Sequence, residues 1–272
     1  MKVDLIDISI KDLRDFTLYS DQYLSMNFRN FSASSLKLRL QFLIFENKFK
    51  SFDSFLDYYK KDELLQQKII SNIIPRASEL LRDASCFECF FNLMQQTLQK
   101  EIIEICLFEF GNYSETISLI IVLNSKGYLN KARITIIDLT SGKGLPDFYK
   151  FTQKDIDTGE INYAALNSKQ NFVDFFSMTE SGYEYLVPPS AQICHKKISE
   201  ITSAEIKFDV IISRNLTLHY NFRAHQNIFL TYVNFLEKNG LLFAGTNEGF
   251  DWCSGIEQLI KPNKTKPFYI KK

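Results

Sequence analysis

The chain reads as an α/β protein: a parallel β-sheet with crossover helices over 91–272, an all-helical domain over 1–90 ahead of it, and a small inserted antiparallel β-subdomain at about 160–200. Three observations predict this. Residues 1 to about 90 space their apolar side chains by three and four and show no strand pattern. From residue 101, short bulky apolar runs alternate with helical spacing, the pattern of strands joined by crossover helices. Within that second part Gly182-Tyr-Glu-Tyr-Leu-Val-Pro-Pro alternates like an exposed antiparallel strand and breaks the rhythm.

Each element has its own warrant. Leu36-Lys-Leu-Arg-Leu-Gln-Phe-Leu-Ile-Phe-Glu-Asn-Lys-Phe mixes apolar and basic positions, and Phe52, Phe55, Leu56, Tyr58 and Tyr59 recur at helical steps. Glu63 to Ile74 repeats that period until Pro75, which removes a backbone donor. Ser78-Glu-Leu-Leu-Arg-Asp leads into another helical run through Gln99. Glu101 to Phe110 suits a strand buried on both faces and ends at Gly111. Ser114 to Leu123 follows as a helix, with Gly127 close behind. Ala132-Arg-Ile-Thr-Ile-Ile-Asp138 is a second strand, ending in an acid; Phe208-Asp-Val-Ile-Ile-Ser is a third and Leu241-Leu-Phe-Ala-Gly a fourth. Pro267-Phe-Tyr-Ile reads as a closing edge strand.

Composition excludes several functional classes. Thirty-two basic residues balance thirty-two acidic ones, whereas a dedicated nucleic-acid binder carries a basic excess. The longest apolar stretches, such as Ile117 to Leu123, fall far short of the ~20 residues that cross a bilayer. The acidic start Met1-Lys-Val-Asp-Leu-Ile-Asp lacks the basic region of a signal peptide, so a cytoplasmic location is expected. Five cysteines, an odd number in a chain this long, argue against a disulfide framework. Cys86 and Cys89 form a CxxC with no second pair at zinc-finger distance, inside a run of helical spacing, and read as core or surface thiols. His195, His219 and His225 do not fall at metal spacing. Cys194 and His195 are neighbours on one strand and point to opposite faces, which disfavours a nucleophile–base pair. Gly142-Lys-Gly144 lacks the upstream glycine of a phosphate-binding P-loop.

The strand ends carry the chemistry. In an open parallel sheet, ligands bind beyond the carboxyl ends of the strands, where the strand order switches. The first strand ends Glu109-Phe-Gly111-Asn-Tyr-Ser-Glu115, and Asp138 ends the second, twenty-seven residues after Gly111. An acid so placed pairs with the two hydroxyls of a ribose, which points to an adenosine-containing ligand. One glycine is less than a full GxGxxG, and on the residues alone Glu109 and Asp138 read equally as ordinary strand ends.

Taken together, the segments resemble the CheR-type chemotaxis receptor methyltransferases, a family of protein-glutamate O-methyltransferases. The match is strongest at Phe208-Asp-Val-Ile-Ile-Ser-Arg-Asn-Leu-Thr-Leu-His-Tyr and at Phe235-Leu-Glu-Lys-Asn-Gly-Leu-Leu-Phe-Ala-Gly-Thr-Asn-Glu-Gly-Phe. Leu36 to Tyr58 resembles the family's basic helix and Phe-x-x-Tyr helix, Ser78-Glu-Leu-Leu-Arg82 the segment leading into the catalytic domain, and Asn171 to Ile198 the inserted antiparallel subdomain. The resemblance implies a Rossmann-like class I methyltransferase sheet, S-adenosyl-L-methionine as cofactor, and a protein substrate such as a chemoreceptor or similar signalling protein. It implies no nucleic-acid partner and no membrane insertion. It assigns Arg82 and Arg214, with Ser78 beside them, to positioning the incoming carboxylate, and Gly111, Glu115, Asp138, Asn215 and Leu216 to the donor.

Several positions depart from the family pattern. Tyr113 stands where a glycine normally lets the backbone approach the ligand, and a β-carbon there narrows the site. Lys196-Lys197-Ile198 occupies the region of an Asn-Leu pair that borders the adenine. His219 stands where the family has Tyr, and Pro75 and Arg76 replace polar positions before Ser78. These changes leave a second reading open: a relative that keeps the fold and uses its helical domain or its insert as a docking module.

Overall fold

A computed structural model describes residues 5–23, 28–62, 66, 73, 79–109, 113–138, 148–196 and 206–272. The chain forms two compact units: one of residues 1–76 with 217–228, the other of residues 77–216 with 229–272.

The first unit is helical, as its spacing predicts, with helices α1 (Ile10–Tyr23), α2 (Ala33–Glu46) and α3 (Phe52–Tyr59). Their ends are closed by short side chains. Ser32 accepts from the Ser35 N–H at the start of α2, and Ser51 and Ser54 form a reciprocal capping box at the start of α3. The core is aromatic: Phe16 packs at 5.4 Å on both Phe28 and Tyr59, and Phe55 stacks on Tyr59 at 5.8 Å. Phe16, Phe28, Phe55 and Tyr59 are fully buried, and each such ring stabilises the unit by roughly 1.5–3 kcal/mol. The helix expected over Glu63 to Ile74 lies almost entirely outside the described residues.

The second unit begins with helix α4 (Ala84–Thr97) and is built on β1 (Ile103–Glu109), α5 (Ser114–Ser125), β2 (Ala132–Asp138), β3 (Phe148–Phe151), α6 (Gln153–Tyr163), β4 (Ser177–Thr179), β5 (Gly182–Leu186), β6 (Gln192–Lys196) and β7 (Phe208–Ser213). Helix α7 (Phe222–Phe235) leads into β8 (Leu236–Ala244), and β9 (Leu259–Ile260) and β10 (Phe268–Lys271) close the chain. Seven strands form one sheet in the order β6-β2-β1-β7-β8-β10-β9. The first five run parallel; β10 is antiparallel to β8, and β9 to β10. This is a Rossmann-like, mostly parallel sheet. Strands β1 and β7 and the Gly240–Ala244 half of β8 are almost continuously buried, which is why they show as apolar runs in the sequence.

The insert is a separate three-stranded antiparallel sheet in the order β3-β5-β4. Two expectations are corrected here. Gln192–Lys196, read as part of the antiparallel insert, is a parallel strand of the main sheet beside β2. Phe268–Lys271, read as an edge strand, lies between β8 and β9, and β9 takes the edge. Because β1 has β2 on one side and β7 on the other, the chain switches direction across the sheet between these strands. Their carboxyl ends therefore flank the crevice where ligands of such sheets bind.

Candidate functional site

The carboxyl ends of β1 and β7 are joined by a buried charge cluster. Arg214, the residue after β7, has a side chain only 1% exposed. Its Nη1 donates to Glu115 at 3.2 Å (Oε1) and 2.9 Å (Oε2), and its Nη2 donates to Asp83 Oδ2 at 3.2 Å and to the Arg82 carbonyl at 2.6 Å. The guanidinium lies over the rings of Phe87 and Phe243 at 4.5 and 5.0 Å, a desolvated cation–π contact with two rings that themselves pack edge to face. Glu115 is placed by the first turn of α5, where an acid also complements the helix dipole. Burial pushes its carboxyl above the usual glutamate range, while the Arg214 charge pulls it back down.

Arg214, expected to take the incoming carboxylate, is thus turned inward onto Glu115 and Asp83. Arg82 is placed differently. It closes no ion pair among the described residues, and its charge reaches Glu115 at longer range. It sits in the turn Leu80–Asp83, where Leu81 (φ 55°) and Asp83 (φ 57°) both adopt left-handed backbone. That turn is tied from outside. The Leu81 N–H donates to Ser118 Oγ at 2.8 Å, Asn162 Nδ2 donates to the Leu80 carbonyl at 2.9 Å, and Thr246 Oγ1 donates to Asp83 Oδ2 at 3.2 Å.

Asn215 follows Arg214 in left-handed backbone, φ 57°. Glu248 Oε2 accepts from the Asn215 N–H and from the Gly245 N–H, both at 2.7 Å, bracing the ends of β7 and β8 together. Gly245 permits this, since a β-carbon there would sit 2.7 Å from both the Asn215 nitrogen and Glu248 Oε2. The Asn215 carboxamide is enclosed, and neither its Nδ2 nor its Oδ1 has a hydrogen-bond partner among the described residues. Leu216 beside it is buried. Asp138 ends β2 in register with Glu109, whose carboxylate accepts from Thr116. Gly111 and Ser78 lie outside the described residues, as do Arg76 and Gly142 to Gly144.

Tyr113 caps α5 in left-handed backbone, φ 56°, with no side-chain hydrogen bond to the helix. Its ring is buried against Tyr149 from β3 at 5.6 Å and His195 from β6 at 5.9 Å. Cys194, by contrast, lies 3.4 Å from Thr135 Oγ1. An open groove of about 580 Å³ runs beside Glu104, Arg133, Thr135, Gln192, Cys194 and Phe208. It follows the amino-terminal halves of β1 and β2 and runs along β6 to Lys196. Among the described residues, no group of three or more His, Cys, Asp or Glu side chains could hold a metal ion, and no helix is long and apolar enough to cross a membrane.

Asp83, Ser118, Asn162 and Glu248 were not predicted as site residues. Glu248 stands in the Gly-x-x-Glu signature, and Asp83 directly follows Arg82, so both were within reach of the sequence. Ser118 sits in a helix buried throughout Ser114–Leu123, where a serine hydroxyl has to find a partner.

No family model matches the chain. Among solved structures it is similar to the plantazolicin methyltransferase BpumL in complex with SAH, at 15% identity and TM-score 0.32, over 68% of this chain and 56% of that one. It is also similar to coclaurine N-methyltransferase bound to N-methylheliamine and SAH, at 12% identity and TM-score 0.29, over 63% and 38%. A third is CalO1, a methyltransferase of calicheamicin biosynthesis in its SAH-bound form, at 7% identity and TM-score 0.30, over 72% and 43%. The chain thus spans about half or less of the length of these structures. The fold class rests on the strand order of the chain itself.

Proposed function

We propose that the chain is an S-adenosylmethionine-dependent methyltransferase whose acceptor is the carboxylate of a glutamate on a signalling protein, with Arg82 receiving that carboxylate. The observation that carries this reading is the strand order, with Glu115, Arg214 and Asn215 gathered at the carboxyl ends of β1 and β7. The enclosed Asn215 carboxamide fits the donor's amino-acid end, because it offers an N–H donor group and a carbonyl acceptor that no described residue meets. Asp138, Asn215 and Leu216 would hold the donor, which supplies an electrophilic methyl group on a sulfonium.

The residues needed for the transfer are few. A glutamate acceptor is already ionised at neutral pH, with an ordinary pKa of about 4.3, so no general base is required. What the chain must provide is alignment of the carboxylate oxygen with the methyl carbon, from which most of the rate derives. An arginine does this through two parallel hydrogen bonds. In this reading Arg82 does so, because Arg214 is already engaged as the buried counter-charge that ties Glu115 and Asp83 together.

A second reading, a docking module without transfer, draws on Tyr113, whose ring packs with Tyr149 and His195 beside the tip of β1. Calorimetric titration with S-adenosylhomocysteine separates the two. Saturable heat is expected from the methyltransferase; a cooperatively folded protein giving no heat up to millimolar ligand would leave the docking module.

A further inference from the structure

Leu81 and Asp83 both occupy left-handed backbone, and neither is glycine. That conformation costs a residue with a β-carbon, Leu81 more than Asp83, and it persists only where the surroundings over-determine it. Four side chains from four other places in the second unit do so here: Ser118 on α5, Asn162 on α6, Arg214 after β7 and Thr246 after β8. Leu80 and Leu81 are fully buried, which anchors the turn from below. The residue between the two strained positions is Arg82. A turn that only had to enter α4 could carry glycine at 81 or 83 and adopt this backbone without strain.

We propose that the turn Leu80–Asp83 is a preorganised presenter of the Arg82 guanidinium to a carboxylate ligand, and that Ser118 and Asn162 are positioning residues for Arg82. Both lie on helices rather than at the strand tips, and neither is offered as a group that touches the acceptor. The carboxylate acceptor rests on the methyl-transfer reading; the presentation of Arg82 is tested separately from it. Fixing the backbone that carries the guanidinium leaves less freedom to be lost when Arg82 forms two hydrogen bonds.

The test uses Ser118→Ala and Asn162→Ala in the full chain, with three measurements. These are affinity for S-adenosylhomocysteine, methyl transfer from S-adenosylmethionine to poly-L-glutamate, and protection of Arg82 by glutarate against phenylglyoxal, mapped by mass spectrometry. Each substitution removes one hydrogen bond from the turn. We expect S-adenosylhomocysteine affinity to stay within about twofold and transfer to fall about tenfold, through a rise in KM for poly-L-glutamate more than a fall in kcat. Glutarate should protect Arg82 in the unaltered chain and no longer protect it in either variant. A variant that loses its cooperative melt is replaced by Thr246→Val, at an exposed position, which must also lower protection. Wild-type protection in the variants overturns the proposal even if methyl transfer is observed, as does lack of protection in the unaltered chain. If the unaltered chain transfers no methyl group, yet glutarate protects Arg82 in it and not in the variants, the presenter stands and the methyl-transfer reading falls.

Discussion

Arg214 and Arg82 are joined by one hydrogen bond: the Arg214 Nη2 donates to the Arg82 carbonyl at 2.6 Å. Two arginines assigned by resemblance to the same task therefore occupy different levels of the site. Arg214 is the buried cation on which Glu115, Asp83 and the Arg82 backbone converge; the Arg82 guanidinium closes no ion pair among the described residues.

Removing Arg214 should accordingly damage the fold. Arg214→Ala leaves the Glu115 carboxylate buried without its cation, and breaking a buried pair in this way destabilises by about 3–5 kcal/mol. Pairing Arg214→Met with Glu115→Gln removes both charges while keeping comparable volume, and should recover most of that loss. Urea denaturation of the three proteins checks this. If Arg214→Ala alone unfolds at the parent's urea concentration, the ion pair is not holding the strand tips together.

On the methyl-transfer reading, donor binding should depend on Asp138. Asp138 ends β2 opposite Glu109, at the position from which an acid reaches a ribose. Asp138→Ala should weaken S-adenosylhomocysteine by roughly 1–3 kcal/mol, the penalty of hydroxyls left without a partner. Calorimetry reads this directly, and an unaltered affinity would show the acid to be misassigned.

Much of the fold was legible because buried parallel strands have no solvent face and so leave continuous apolar runs, as at Ile103–Glu109 and Phe208–Ser213. Strand β6 was misread because Gln192–Lys196 is half exposed along its length, so that its polar residues imitate an antiparallel edge. The members of the site were partly legible, and their pairing was not. Glu115 and Arg214 lie 99 residues apart, and only the adjacency of β1 and β7 brings them together. The turn around Arg82 gave no local sign at all. Left-handed backbone is announced by glycine or asparagine, whereas here it falls on Leu81 and Asp83 and is imposed by tertiary hydrogen bonds.

Tyr113 offers a test of how open the donor crevice is. It combines a left-handed backbone with a buried ring, so Tyr113→Gly relieves strain while removing packing against Tyr149 and His195. Loss of the ring's burial, roughly 1.5–3 kcal/mol, outweighs a relief of about 1 kcal/mol, and the variant should be moderately less stable. Its affinity for S-adenosylhomocysteine should rise, because the backbone after β1 can then approach the ligand more closely. Equal or weaker binding, measured by the same titration, would mean that the ring does not restrict the donor.

The helical unit should respond to acid through His219. Ser35 Oγ lies 3.0 Å from the His219 Nδ1, and Arg39 Nη2 lies 3.5 Å from the Nε2. Burial, reinforced by the Arg39 charge, pulls the imidazole down from 6.5 to about 4. The folded chain therefore binds this proton less readily than the unfolded chain does. Between pH 6.5 and pH 4 the unfolded state takes up the proton first, so the stability contributed by neutral His219 is present above this window and is lost as pH falls through it. His219→Gln keeps a polar partner for Ser35 and cannot titrate, so its melting temperature should fall less than the parent's between pH 7 and pH 5. The comparison of the two proteins cancels the carboxylates, which titrate in both. Parallel curves over that interval would show that His219 is not held neutral by its surroundings.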